Sequence, residues 1–184
     1  MRKEPTPVLF SVKANVPLDA LLDRFLSAVP VFPEQDVREL VMSGATFADI
    51  LEHIRSIAPL EMMIYWQDAV GPLMKKAGNY RSSHGFLVGN LRMLSTLFDR
   101  DPRVLAFVPF RVTLSDDLDG GAWFTAEMPG NGLRLLDDSA IAEAAPKIDA
   151  KLLAIMTAMS LEIPTEASAQ LTPHLFDEGG REEL

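Results

Sequence analysis

One stretch constrains this chain more than any other. Between Ala106 and Met128, two alternating runs flank Asp119-Gly120. Val108, Phe110, Val112 and Leu114 alternate with Pro109, Arg111, Thr113 and Ser115; Ala122, Phe124, Ala126 and Met128 share one side of the second run. A period of two marks a strand with one buried face. Asp-Gly supplies the backbone freedom of a hairpin. The spacing predicts antiparallel neighbours over 106–116 and 121–128. Pro109 has no N–H for a ladder, which places it at an edge or a bulge. A chain with such a hairpin must build a sheet and cover it.

Three more strands are predicted over 7–14, 60–67 and 81–89. Val8, Phe10 and Val12 alternate in the first; Leu60, Met62, Ile64 and Trp66 share a face of the second. A helix opens at Pro17, with Leu18, Leu21, Leu22, Phe25, Leu26 and Val29 in one stripe. Two further helices occupy 33–43 and 46–57, the second capped by Thr46 with His53 beside its stripe and facing solvent. A short helix runs from Asp68 to Gly78, and another from Leu91 to Phe98 behind Asn90. The last begins near Ser139, and Pro146 kinks it or starts a second helix. Its stripe is Ile148, Leu152, Ile155, Met156 and Met159, with Asp149 and Lys151 off it.

The order is β-α-α-α-β-α-β-α-β-β-α. This is an α+β pattern: a single mixed or antiparallel sheet of about five strands packed with helices. Residues 1–164 form one domain with a helical insertion near 33–57, followed by an acidic tail over 165–184. A thin sheet must hide its second face, so a homodimer is expected unless the inserted helices close the core.

Composition narrows the function classes. The chain has 184 residues, 17 Lys and Arg against 26 Asp and Glu, and a net charge of −9. An acidic chain repels phosphate backbones, so no nucleic-acid partner is expected. The absence of cysteine removes disulfides, thiolate nucleophiles and cysteine-held metal clusters. The apolar run Val8-Leu9-Phe10 is too short for a secretory signal, and no run approaches a membrane span. The expected location is cytoplasmic, with no membrane partner.

Few residues carry chemistry. His84, in Ser82-Ser83-His84-Gly85, is a candidate acid/base group, with Asp68 or Glu127 as its carboxylate partner. Gly89-Asn90 stands at a strand-to-helix junction, where backbone N–H groups can meet an anion; the simpler reading is a helix cap. Trp66, Tyr65, Tyr80 and Trp123 are aromatic residues suited to lining a small-molecule pocket. His53, His84 and the tail's His174 show no metal-ligand spacing. Met62, Met63, Met74 and Met93 suit a soft metal or haem, but the simpler reading is core packing, with Met62 and Met156 at stripe positions that need a flexible filler.

Several modest motifs recur together. They are Asp68-Ala69-Val70, Phe86-Leu87-Val88-Gly89-Asn90, Asp101-Pro102-Arg103, Phe107-Val108-Pro109-Phe110-Arg111-Val112 and Gly120-Gly121-Ala122-Trp123. Over about residues 68–130 this series resembles the domain of unknown function 302 family. The resemblance implies a small α+β fold, homodimeric in some members, and carries no catalytic residues. Two departures stand out. Leu91 follows Gly-Asn where the family has proline, and roughly 25–30 extra residues separate the first helix from the second strand.

The expected function is a non-catalytic module, dimeric, binding a small molecule or protein partner and needing no cofactor. Two alternatives stand beside it. One is an enzyme using His84 with Asp68 or Glu127. The other is a haem or metal carrier using His84 and methionines.

Overall fold

Strand alternation decides which residues leave water. The computed structural model describes residues 9–165 apart from 69 and 118. The acidic tail and His174 lie outside the described residues, Thr165 excepted, as do the first two residues of the expected first strand. Strands β1 (Leu9–Ala14), β2 (Met63–Gln67), β3 (Ser83–Gly89), β4 (Phe110–Asp116) and β5 (Ala122–Glu127) form one sheet. Their order is β1-β5-β4-β3-β2, and every ladder is antiparallel. Phe10, Val12, Phe86, Val88, Phe110, Val112, Phe124 and Ala126 are buried on one face.

Two helices cover that face. Helix α1 (Leu18–Ala28) lies against β4 and β5 and buries Leu18, Leu21 and Phe25. The Phe25 and Phe86 rings meet at 4.8 Å, centroid to centroid. Burying each such side chain contributes about 1.5–3 kcal/mol. Helix α7 (Ser139–Ala158) adds Ile141, Ile148, Leu152, Ile155 and Met156 to the same core. The Asp138 carboxylate caps it, accepting from Ala140 and Ile141 N–H at 2.9 and 3.0 Å. Pro146 sits inside this single helix and starts no second one.

The expected hairpin forms, but its loop is wider than a two-residue turn. The last registered pair is Asp116–Ala122. The Asp117 carboxylate organises the loop, accepting from Asp119 N–H at 2.9 Å and Gly121 N–H at 2.7 Å. Gly120 takes the left-handed backbone, with φ of 82°. Pro109 marks neither an edge nor a bulge. β4 is the middle strand and begins one residue later, at Phe110, so the missing N–H falls outside the ladder. In β2 a register shift between Ile64 and Trp66 breaks the predicted alternation, and Trp66 is exposed.

The second sheet face carries Ser11, Lys13, Thr113, Ser115 and Thr125. The Ser11 and Thr125 hydroxyls bond across strands at 2.8 Å. Most of this face needs no apolar cover. The exception is the β2 end, where helices α2 (Glu34–Met42) and α3 (Phe47–Ile57) build a second small core. Ile50, Ile54, Ala58 and Met63 are buried there, with Phe32, Val37, Leu40, Tyr65 and Leu91 packed around them. Adjacent Met62 and Met63 therefore serve different cores. His53 is half-buried between these helices rather than solvent-facing, its Nε2 3.4 Å from Asp36 Oδ2. Glu61 fastens the insertion to the rest: Arg55, Arg92 and Lys151 surround its carboxylate at 3.3, 3.7 and 3.4 Å.

Asp149 does not lie off the buried stripe of α7. It is fully buried. The reason is helix α6 (Pro129–Leu133), laid against α7 on that side. Asp149 Oδ1 accepts Gly130 N–H at 2.7 Å, and Arg134 approaches Oδ2 at 3.4 Å. A Cβ on Gly130 would stand 2.3 Å from Asp149 Oδ2. Burial pushes the Asp149 carboxyl above its ordinary range, against the pull of Gly130 and Arg134. Among the described residues no helix is long and apolar enough to cross a membrane.

A raised folded pKa means that the folded state holds this proton longer than the unfolded chain. The stabilising contribution is full in acid and is lost as pH rises through the folded pKa. Asp149→Asn removes that titration. Its stability relative to wild type should therefore rise as the pH is raised from the acid side of the ordinary carboxylate range, measured as urea midpoints. A difference independent of pH would contradict this account.

Candidate functional site

β2 ends before β3 does. Their last registered pair is Gln67–Phe86, which leaves Gly85 without a strand partner on that side. Asp68 takes the place of the missing strand. Its N–H donates to Gly85 O at 2.9 Å, and its carboxylate accepts Gly85 N–H. The other carboxylate oxygen accepts Val70 N–H at 3.3 Å, at the start of α4 (Val70–Lys76). A Cβ on Gly85 would lie 2.7 Å from Asp68 Oδ2, so glycine there makes room for the carboxylate.

A cleft of about 350 Å³ opens beside this junction. Leu22 and Leu26 of α1 form one wall; Asp68, Gly71, Pro72, His84 and Phe86 form the other. His84 is half-buried on the core side of β3, paired in register with Leu114. Its ring lies 6.4 Å from that of Phe86, tilted 19°. Among the described residues the His84 side chain makes no hydrogen bond or ion pair. Both ring nitrogens are thus free to meet a ligand, one as donor and one as acceptor.

The structure brings His84 and Asp68 into one cleft without joining them. Asp68 spends both oxygens on backbone amides. Glu127 stands at the end of β5, on the opposite sheet face, and lines a different cavity. Tyr80 is 96% exposed, and Trp66 faces outward from edge strand β2. Gly89 and Asn90 are buried at the far end of β3. Asn90 Oδ1 accepts Met93 N–H at 2.8 Å, the cap of α5 (Leu91–Phe98). The Tyr65 ring packs on Gly89, where a Cβ would lie 3.1 Å from Cε2. Burial pushes the Tyr65 hydroxyl up to about 12. The methionines do not gather at His84. Met62 and Met63 fill the two cores, Met93 packs on the larger, and Met74 is exposed on α4.

Sequence reasoning missed Leu22, Leu26 and Pro72 as site residues. The leucines read as members of a core stripe. The one available signal was Gly71-Pro72 following an aspartate at a strand end, a junction with irregular backbone.

The family model for the domain of unknown function DUF302 matches residues 40–159, from α2 through α7. The chain belongs to the DUF302 family. The match is wider than the motif series over 68–130. Its fold is similar to the crystal structure of an uncharacterized conserved DUF302 protein from Bacillus stearothermophilus. That likeness has 14% identity and a TM-score of 0.57, and covers 82% of this chain and 97% of that one. No curated protein matches the chain.

In this DUF302 protein the two neighbours on β3 should respond oppositely to the same change. His84→Ala breaks no hydrogen bond and should leave stability within about 1 kcal/mol of wild type. Gly85→Ala collides with the Asp68 carboxylate and should cost about 1–3 kcal/mol. Urea unfolding of both variants compares them; a costly His84→Ala with a neutral Gly85→Ala would contradict the assignment.

Proposed function

We propose that this DUF302 protein is a non-catalytic binding module whose small-molecule ligand lies in the cleft against His84. One observation carries the reading: a half-buried imidazole with no side-chain partner among the described residues faces a cavity walled by Leu22, Leu26, Pro72 and Phe86. Apolar walls with one free polar group are the usual make-up of a small-ligand site. The ligand this suits is a small, largely apolar body with one group that hydrogen-bonds to imidazole. An acid/base enzyme has less support, because Asp68 is engaged by Gly85 and Val70 and Glu127 lies on the other face. Self-association belongs to the same proposal. Val41, Met42 and Phe47, exposed around the α2–α3 turn, supply apolar surface for a second copy.

Native mass spectrometry of freshly purified protein tests both parts. The expected spectrum shows a dimer carrying a small adduct that His84→Ala and the cleft-filling Leu26→Trp both lose. An adduct kept by both variants, or none on the wild type, contradicts the cleft assignment. A monomer at high micromolar concentration contradicts self-association.

A further inference from the structure

The open sheet face holds a second cavity, independent of the His84 cleft. Leu87 of β3 pairs in register with Arg111 of β4. Arg111 and Glu127 lie one step beyond the registered pair Val112–Ala126, so Leu87, Arg111 and Glu127 form a row across three strands. Neighbouring strands are about 4.8 Å apart, which sets the two charged side chains side by side. Leu105 and Phe107, from the 3₁₀ turn Pro102–Ala106 and the residue after it, wall the row on one side, with Pro109 beside them. Met128, Pro129 and Gly132 complete the lining. The cavity measures about 300 Å³.

Glycine shapes this wall. A Cβ on Gly132 would stand 2.3 Å from Phe107 Cδ1, so the bare backbone of α6 is what seats the Phe107 ring. Behind Pro109, a Cβ on Gly89 would lie 3.3 Å from Pro109 Cβ. Arg38, Arg55, Arg81, Arg92 and Arg103 each hold a carboxylate. Arg111 and Glu127 are exposed neighbours, yet among the described residues neither side chain makes a hydrogen bond or ion pair.

We propose that this cavity binds a free α-amino acid with an apolar side chain. The Arg111 guanidinium offers a two-pronged donor to the carboxylate, and Glu127 accepts from the ammonium. Leu105, Phe107 and Pro109 receive the side chain. A simple anion would meet Glu127 and a simple cation would meet Arg111. A zwitterion, with both charges on one carbon, answers both. The volume lies at the lower end of the about 300–1,000 Å³ range of ligand pockets, which suits a molecule of this size.

The test is amide NMR titration of the full chain with L-leucine, L-methionine and L-phenylalanine, alongside 3-phenylpropionate and phenethylamine as single-charge probes. The expected result is saturable shifts at Leu87, Arg111, Glu127 and Gly132 with at least one amino acid, at a Kd of about 1 mM or tighter. Arg111→Gln should weaken that binding by about tenfold. Glu127→Gln should weaken the amino acid but strengthen 3-phenylpropionate. Both side chains are exposed and unpaired, so both variants should fold, which their amide spectra report. No saturable shift with any of the three amino acids overturns the proposal. So do shifts confined to the His84 cleft, or equal binding by wild type and both variants.

Discussion

Phe10, Val12, Phe86, Val88, Phe110, Val112, Phe124 and Ala126 leave water together because strand alternation puts them on one side of one sheet. That two-sidedness organises the rest of the molecule. The apolar side demands a cover, and α1 and α7 supply it. The other side is largely hydroxyl and charge and stays open except at β2, where Met63 and Tyr65 require the second small core of α2 and α3. A one-residue slip in any ladder would send its apolar set to the wrong face. Burial thus helps to hold the register. Asp149 belongs to the same logic. A buried carboxylate is costly, and it is retained where α6 leaves a backbone N–H to satisfy.

Both cavities lie where this sheet stops being regular. On the covered side, β2 ends before β3, Asp68 replaces the missing strand, and α1 overhangs the gap with Leu22 and Leu26. On the open side, the 3₁₀ turn and α6 line a cavity with the row formed by Leu87, Arg111 and Glu127. Neither cavity needs a lid or a partner to exist. Each joins a few polar groups to an apolar wall, and the polar groups differ: an imidazole in one, a cation and an anion in the other.

The regular part of the fold was legible because it rests on local periodicity. Val12 or Phe124 announces its strand through its neighbours, and Phe25 its helix through its stripe. What was not legible depends on partners far along the chain. Asp149 looks solvent-facing on its own helix; only the approach of Gly130, 19 residues away, explains its burial. Pro109 reads as an edge residue until β4 is seen to start after it. Of the candidate site, His84 and Asp68 were found as chemistry-bearing residues, and they do share a cleft. Their periodicity does not reveal that the Asp68 carboxylate answers a backbone N–H left over by ladder geometry. Tyr80 and Trp66 stand out by residue type, and type does not say where a side chain ends up; Asn90 stands out by its strand-to-helix junction, and there it caps α5.

The central claim is that Asp68 completes the β3 ladder and so shapes the cleft while leaving His84 free. The Gly85 amide reports on it directly, since its N–H is the group Asp68 accepts. Amide hydrogen exchange measured residue by residue in wild type and Asp68→Ala makes the comparison. The account predicts a protected Gly85 amide in the wild type, exchanging about tenfold faster or more in the variant while Phe86 and Val88 keep their protection. Equal exchange at Gly85 in both proteins would mean that the carboxylate is not its partner, and would contradict the account.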